Sequence, residues 1–484
     1  MVQDREVEAG VNPSEWLQRS VALFRARAST AERAVAPLLL PVPEPAGRST
    51  SERMKASLRR PGEVLSPREL RQLLSDLQGV TDHRVSEVEG GRRAGRLMQW
   101  YQSADDGQRQ DFWLLLSEQF VADPKKVKVA QDRFAAAVGT PEQAAAEVIF
   151  RRATVSPRRR VLQRFSAHPE GIRFLVDLRA QMQPRLKTDK RLLALDVEME
   201  YMFSTWFDIG FLELRRISWN SPASLIEKLI RYEAVHDVRS WEDMKNRLAP
   251  DRRCYGFFHP RLPQEPLIFV EVALVNGMSD SITPLLDELA EDIDVGRASH
   301  AIFYSISNTQ VGLRGVSFGD SLIKRVVEAL KQEFPKLKTF ATLSPIPGLR
   351  SWLSRHAPAD ALQEWESVGS LPASSASARS LLGWAARYLG GLAESGQPHD
   401  PVARFHLGNG ARVERLNWAG DPSPKGFRQS YGIMVNYLYD LRKLDRHRAD
   451  LAKGQVPVSP AVATLVKSAP AASRHSLTTT TTKT

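Results

Sequence analysis

Ala301-Ile302-Phe303-Tyr304-Ser305-Ile306-Ser307 opens the stretch that decides the fold, and it leads through Gly312-Leu313-Arg314-Gly315-Val316-Ser317-Phe318-Gly319-Asp320 and Leu322-Ile323-Lys324-Arg325-Val326-Val327 to Lys338-Thr339-Phe340-Ala341-Thr342-Leu343-Ser344. The first and last blocks are apolar and rich in β-branched and aromatic residues, as buried strands are. Between them, Leu322, Ile323, Val326, Val327 and Leu330 recur at helical spacing, which predicts a helix from Asp320 to Phe334. The order is strand, glycine loop, helix, and a strand that ends in Ser344. A loop that follows a strand and opens a helix points backbone N–H groups and the helix dipole at an anion. As a lone glycine pattern, it is equally an ordinary strand-to-helix turn.

Working outward, Pro266-Leu267-Ile268-Phe269-Val270-Glu271-Val272-Ala273-Leu274 predicts a further buried strand. From about Pro13 to Lys190 the chain is rich in Ala, Leu, Arg, Glu and Gln at helical spacing, with helices predicted over Arg109 to Phe120, Pro141 to Arg152 and Val161 to Met182. Pro41-Val42-Pro43-Glu44-Pro45 interrupts this region as an extended connector. After a last helical stretch near Leu195 the strands begin. The fold class expected is therefore α+β with two domains: an all-helical domain over 1–190 and an α/β domain over 191–458. The Ala-, Ser- and Thr-rich segment 459–484 reads as a disordered tail.

At 484 residues the chain exceeds one compact core, and 42% apolar with 25% charged residues is an ordinary globular balance. No apolar run reaches the length of a membrane span. The first residues, Asp4, Glu6 and Glu8 among them, do not match a secretory or organelle signal, and Thr482-Lys483-Thr484 is no peroxisomal address. A soluble, cytoplasmic chain is expected. One cysteine, Cys254, excludes an intrachain disulfide and a cysteine-built zinc site, and reads as a small core residue. The formal charge of +11 admits a nucleic-acid partner, but Lys and Arg are interleaved with acids, as on a solvated helical face.

Two short segments carry the candidate chemistry. In Leu343-Ser344-Pro345-Ile346-Pro347-Gly348-Leu349 the prolines push Ser344 and Ile346 into extended backbone and hold the serine at little further entropic cost. By spacing alone the same residues also make a surface turn. The second, Arg404-Phe405-His406-Leu407-Gly408-Asn409-Gly410, holds one of ten histidines. Together with the Gly312–Gly319 loop, these segments resemble the malonyl-CoA decarboxylase family. The resemblance runs from about Leu195 to Tyr439 through Trp206-Phe207-Asp208-Ile209-Gly210-Phe211-Leu212, Trp219-Asn220-Ser221-Pro222, Glu233-Ala234-Val235-His236 and Arg252-Arg253-Cys254-Tyr255.

The resemblance implies a catalytic domain like that of GNAT acyltransferases. It also implies conversion of malonyl-CoA to acetyl-CoA and carbon dioxide, with Ser344 as proton acceptor and His406 as proton donor. Arg314, Gly315, Val316, Ser317, Phe318, Gly319 and Asp320 are assigned to the substrate. Ser317 departs from the acetyltransferase motif, which has glycine there, and other family members can carry glutamate. No metal motif occurs, and the thioester carbonyl itself accepts the electron pair, so no cofactor is expected. The helical domain is assigned to assembly of a homo-oligomer, a dimer or tetramer. His236 and His259 also lie in matching regions, and Tyr431, Tyr437 and Tyr439 read as core or, for one of them, acyl-pocket residues. The alternatives are a CoA-dependent acyltransferase and a basic nucleic-acid-associated protein.

Overall fold

The structure, a computed structural model, describes residues 47–82, 84–290, 294–316, 322–366 and 374–468. The helical part starts its helices as short-range chemistry dictates: Ser66 and Glu69 form a reciprocal capping box on Pro67–Val80, as Asp105 and Gln108 do on Asp106–Glu118. These helices bury Leu70, Leu77, Phe112, Leu115, Val161 and Phe165 in one core. The helix expected over Val161 to Met182 is two, Pro157–Ala167 and Gly171–Met182. Pro169 is the reason, because it disfavours helical backbone at His168, which stands at ψ 147.

Among the described residues, the Leu193–Trp206 helix is followed by a sheet of eight strands: β1 (Glu213–Ile217), β2 (Arg252–His259), β3 (Leu262–Val275), β4 (His300–Asn308), β5 (Thr339–Thr342), β6 (Ser344–Pro345), β7 (Arg412–Asn417) and β8 (Met434–Leu438). Their order is β1-β2-β3-β4-β5-β8-β6, with β7 on the other side of β8. β1 to β4 are antiparallel, whereas β4 and β5 are parallel and joined through the Leu322–Glu333 helix, the crossover that parallel pairing requires. β5 and β6 hold one register on β8, with Ala341 opposite Leu438 and Ser344 opposite Val435.

The parallel pair does not stay together. Rungs run from His300–Thr339 to Phe303–Thr342, and the last bond is Leu343 N–H to Phe303 O at 3.0 Å. Beyond it β4 continues to Asn308 while the facing strand keeps only β8, so the sheet opens where Ser344 begins.

The chain is not disordered from Ser459, as expected from composition, but helical over Pro460–Ser468. Val462 is buried, Leu465 and Val466 pack against the same core, and Ser459 Oγ donates to Glu414 O at 2.6 Å. The short apolar stripe outweighs the Ala/Ser composition. Residues 469–484 lie outside the described residues, as does the Pro41–Pro45 connector. Among the described residues no helix is long and apolar enough to cross a membrane. Cys254 is fully buried, and burial raises its thiol pKa well above the usual value.

One buried guanidinium ties the helical part to the glycine loop. Arg179 donates from Nη1 to the carbonyls of Gly312 and Arg314, both at 2.8 Å, from Nε to Asp196 at 2.8 Å and from Nη2 to Glu200 at 2.9 Å. Gly312 has to be glycine, since a Cβ there would lie 1.9 Å from Val176 O. Arg179→Met orphans a buried carboxylate and two carbonyls. It should destabilise the fold by about 3–5 kcal/mol, the scale of a broken buried pair, seen as a lowered denaturant midpoint.

Candidate active site

Ser344 enters the site on extended backbone paired with Val435, as its flanking proline dictates. His406 arrives on the Pro401–Gly408 helix, whose N-terminus joins an Asp400 cap to a first-turn proline. Gly410 lets the chain leave that helix at φ +84, where a Cβ would meet Leu444 O at 2.7 Å.

Asp400 couples the two elements. Its Oδ1 accepts from Val402 N and Ala403 N at 2.8 and 3.1 Å, and its Oδ2 accepts from Gly348 N and Tyr388 Oη, both at 3.3 Å. The same carboxylate thus caps the helix of His406 and holds the turn that follows Ser344. Full burial raises its pKa to about 6, and the backbone N–H groups oppose the shift.

The side chains then form one line. Tyr439 Oη lies 2.7 Å from His406 Nδ1, His406 Nε2 lies 3.3 Å from Ser344 Oγ, and Ser344 Oγ donates to Thr342 Oγ1 at 2.8 Å. Thr342 Oγ1 also accepts from Tyr437 N at 3.1 Å. His406 is the side-chain hydrogen-bond partner of Tyr439 among the described residues, and with the phenol as donor the acceptor is Nδ1. That places the imidazole proton on Nε2, directed at Ser344. The ring stacks on Tyr437 with centroids 4.6 Å apart. Asn436 braces the strands by donating to Thr342 O at 2.7 Å and Ser279 O at 3.0 Å.

Ser344 and His406 are brought together by the fold. Arg314, Gly315 and Val316 lie between β4 and the helix at the open end of the sheet, with Gly315 at φ +87. Ser317, Phe318, Gly319 and Asp320 lie outside the described residues. His236 and His259 have no hydrogen bond to the pair: His259 packs on Phe207 and accepts from Arg261 N at 3.1 Å, and His236 sits in the Glu233 turn. Among the described residues no group of three or more potential metal ligands occurs. Sequence reasoning passed over Thr342 and Asp400. The Asp400-Pro401 cap signature was available to reveal the latter, whereas nothing local marks Thr342.

Burial lowers the His406 pKa to about 3, so the ring is neutral across the working range. The unfolded chain takes up this proton near 6.5 and the folded chain only near 3. Stability is therefore full above pH 6.5 and falls as pH drops towards 3, by about 1.4 kcal/mol per unit for each such histidine. His236, also held at about 3 by burial, acts in the same direction. Urea midpoints at pH 5 and 7.5 should show this decline, and His406→Asn should shrink it without abolishing it.

Two family models match the chain: "Malonyl-CoA decarboxylase N-terminal domain" over residues 120–207 and "Malonyl-CoA decarboxylase C-terminal domain" over residues 210–476. The mitochondrial malonyl-CoA decarboxylase of Anser anser anser is 36% identical over 396 residues, 72% of this chain and 78% of the relative. That of Mus musculus is 38% identical over 336 residues, 62% and 68% of the two chains. Among solved structures, malonyl-CoA decarboxylase from Rhodopseudomonas palustris aligns with a TM-score of 0.74 at 42% identity, covering 83% of this chain and all of that one. The enzyme from Agrobacterium vitis aligns at 0.75 and 40%, covering 82% and 99%.

Proposed function

This chain belongs to the malonyl-CoA decarboxylase family, and we propose that Ser344 and His406 carry the proton chemistry of its reaction. It is a carbon–carbon lyase that converts malonyl-CoA to acetyl-CoA and carbon dioxide. Cleavage of the carboxylate bond sends its electron pair into the thioester carbonyl as an enolate, so an external electron sink is unnecessary and no cofactor is invoked. What remains for the protein is to align the breaking bond with the carbonyl, stabilise the enolate and return one proton to carbon.

The observation that carries this reading is the 3.3 Å approach of His406 Nε2 to Ser344 Oγ at the place where β4 and β5 part. A thioester entering that opening meets an Nε2–H donor and a fixed hydroxyl. His406 gives its Nε2 proton to the enolate carbon, and Ser344 binds the departing carboxylate and receives the Nε2 hydrogen bond when no substrate is present. A nucleophilic serine fits poorly, because the Ser344 hydroxyl donates to Thr342 and its oxygen accepts from the imidazole. The loop from Arg314 to Asp320 takes the coenzyme A phosphates in this reading, supported by the backbone that Arg179 fixes at Gly312 and Arg314.

The helical part belongs to assembly in the same reading. Pro124–Ala137 and Gln143–Thr154 pack on each other and leave Val129, Val138, Val148 and Ile149 exposed, an apolar surface suited to a second copy in a dimer or tetramer. Cytoplasmic placement remains part of the proposal.

The test is release of acetyl-CoA and carbon dioxide from malonyl-CoA by the purified chain and two variants. His406→Asn and Ser344→Ala should each lower turnover at least about a hundredfold, the scale of lost acid–base catalysis. Either variant turning over within about threefold of the parent would remove that residue from the mechanism.

A further inference from the structure

A neutral imidazole is a poor acid on its own. When His406 gives up its Nε2 proton, it becomes an imidazolate unless Nδ1 gains a proton at the same time, and an anion is costly in a ring that is almost fully buried. The group on Nδ1 is Tyr439, at 2.7 Å. On its outer side Tyr439 lines a cavity of about 320 Å³ between the Leu322–Glu333 and Leu444–Ala452 helices. Asn409 lines the same cavity with a buried Oδ1 that has no protein partner, while its Nδ2 donates to Phe405 O at 2.7 Å. A polar cavity of this size with an orphaned acceptor is a place for ordered water. Charges of both signs, Lys324 and Arg448 with Glu328 and Asp445, surround it. Such a mixture gives a polyphosphate no net attraction and suits water that exchanges protons with bulk.

We propose that Tyr439 is a positioning residue that holds His406 as its Nε2–H tautomer and, fed by water in the outer cavity, refills Nδ1 as Nε2 protonates the substrate carbon. This inference rests on the role assigned above to His406. In this step the enolate carbon bonds to the Nε2 proton, Nδ1 takes the proton of Tyr439 Oη, and Oη takes one from cavity water, which is left as hydroxide until the reset returns a proton to it. One solvent proton is consumed in all. Product departure admits water to Nε2, which is reprotonated as Nδ1 returns its proton to Tyr439 and Oη releases one back to the cavity water.

The experiment compares Tyr439→Phe, Asn409→Leu and His406→Asn with the parent for malonyl-CoA turnover, with 15N-histidine spectra of the parent and Tyr439→Phe. Tyr439→Phe should lower kcat at least about tenfold with KM within about threefold, on the scale of impaired proton transfer, and should shift His406 out of the pure Nε2–H tautomer. Asn409→Leu, which leaves the phenol in place, should lower kcat in the same direction and raise the solvent deuterium isotope effect. It stands as the deciding variant if Tyr439→Phe does not fold. Turnover by Tyr439→Phe within about twofold of the parent with an unchanged tautomer overturns the proposal, and so does an unaffected Asn409→Leu if Tyr439→Phe does not fold. If His406→Asn stays active, the dyad fails instead; if it is dead while Tyr439→Phe is intact, only the relay fails.

Discussion

A single buried carboxylate, Asp400, joins the two halves of the site. Ser344 and His406 belong to elements far apart in the chain, one an extended strand and the other a helix. Nothing in either element alone sets their separation. Asp400 does so by capping the helix with one oxygen and holding the Gly348 turn with the other. The four donors around it explain how a fully buried carboxyl is tolerated, since each compensates part of the solvation lost.

The opening that Asp400 frames comes from the sheet. A parallel pair joined by a helix is held by few rungs, and here it stops after four, so that Phe303 and Leu343 share the last bond. Ser344 is the next residue. Its own strand, β6, remains fixed by β8 on the other side, so the gap is held on one wall and free of backbone bonds across it. Burial then sets the protonation state: the ring of His406 stays neutral, with the phenol of Tyr439 2.7 Å from its Nδ1.

Much of this was legible in the sequence because it is local. The strand-loop-helix-strand order from Ala301 to Ser344 follows from apolar periodicity, and the extended backbone at Ser344 follows from Pro345. The split helix at Pro169 was equally local, but the apolar spacing on both sides masked it. The folded segment at Pro460–Ser468 was hidden by its Ala and Ser content, although Val462, Leu465 and Val466 sit on one helical face. Thr342, the cavity side of Tyr439 and the Arg179 clamp on Gly312 and Arg314 were not legible. Each acts through a partner that only the tertiary fold brings near, and no spacing along the chain encodes those pairings.

The central claim is that the reacting carbon meets His406 Nε2 in the gap between β4 and β5. A crystal structure with a malonyl-CoA isostere that cannot lose carbon dioxide tests it most directly. The account predicts the acyl group in that gap, its methylene carbon about 3–3.5 Å from Nε2 as a reactive arrangement requires, and its carboxylate isostere on Ser344 Oγ. An acyl group bound elsewhere, with His406 and Ser344 still bonded only to each other, would contradict it.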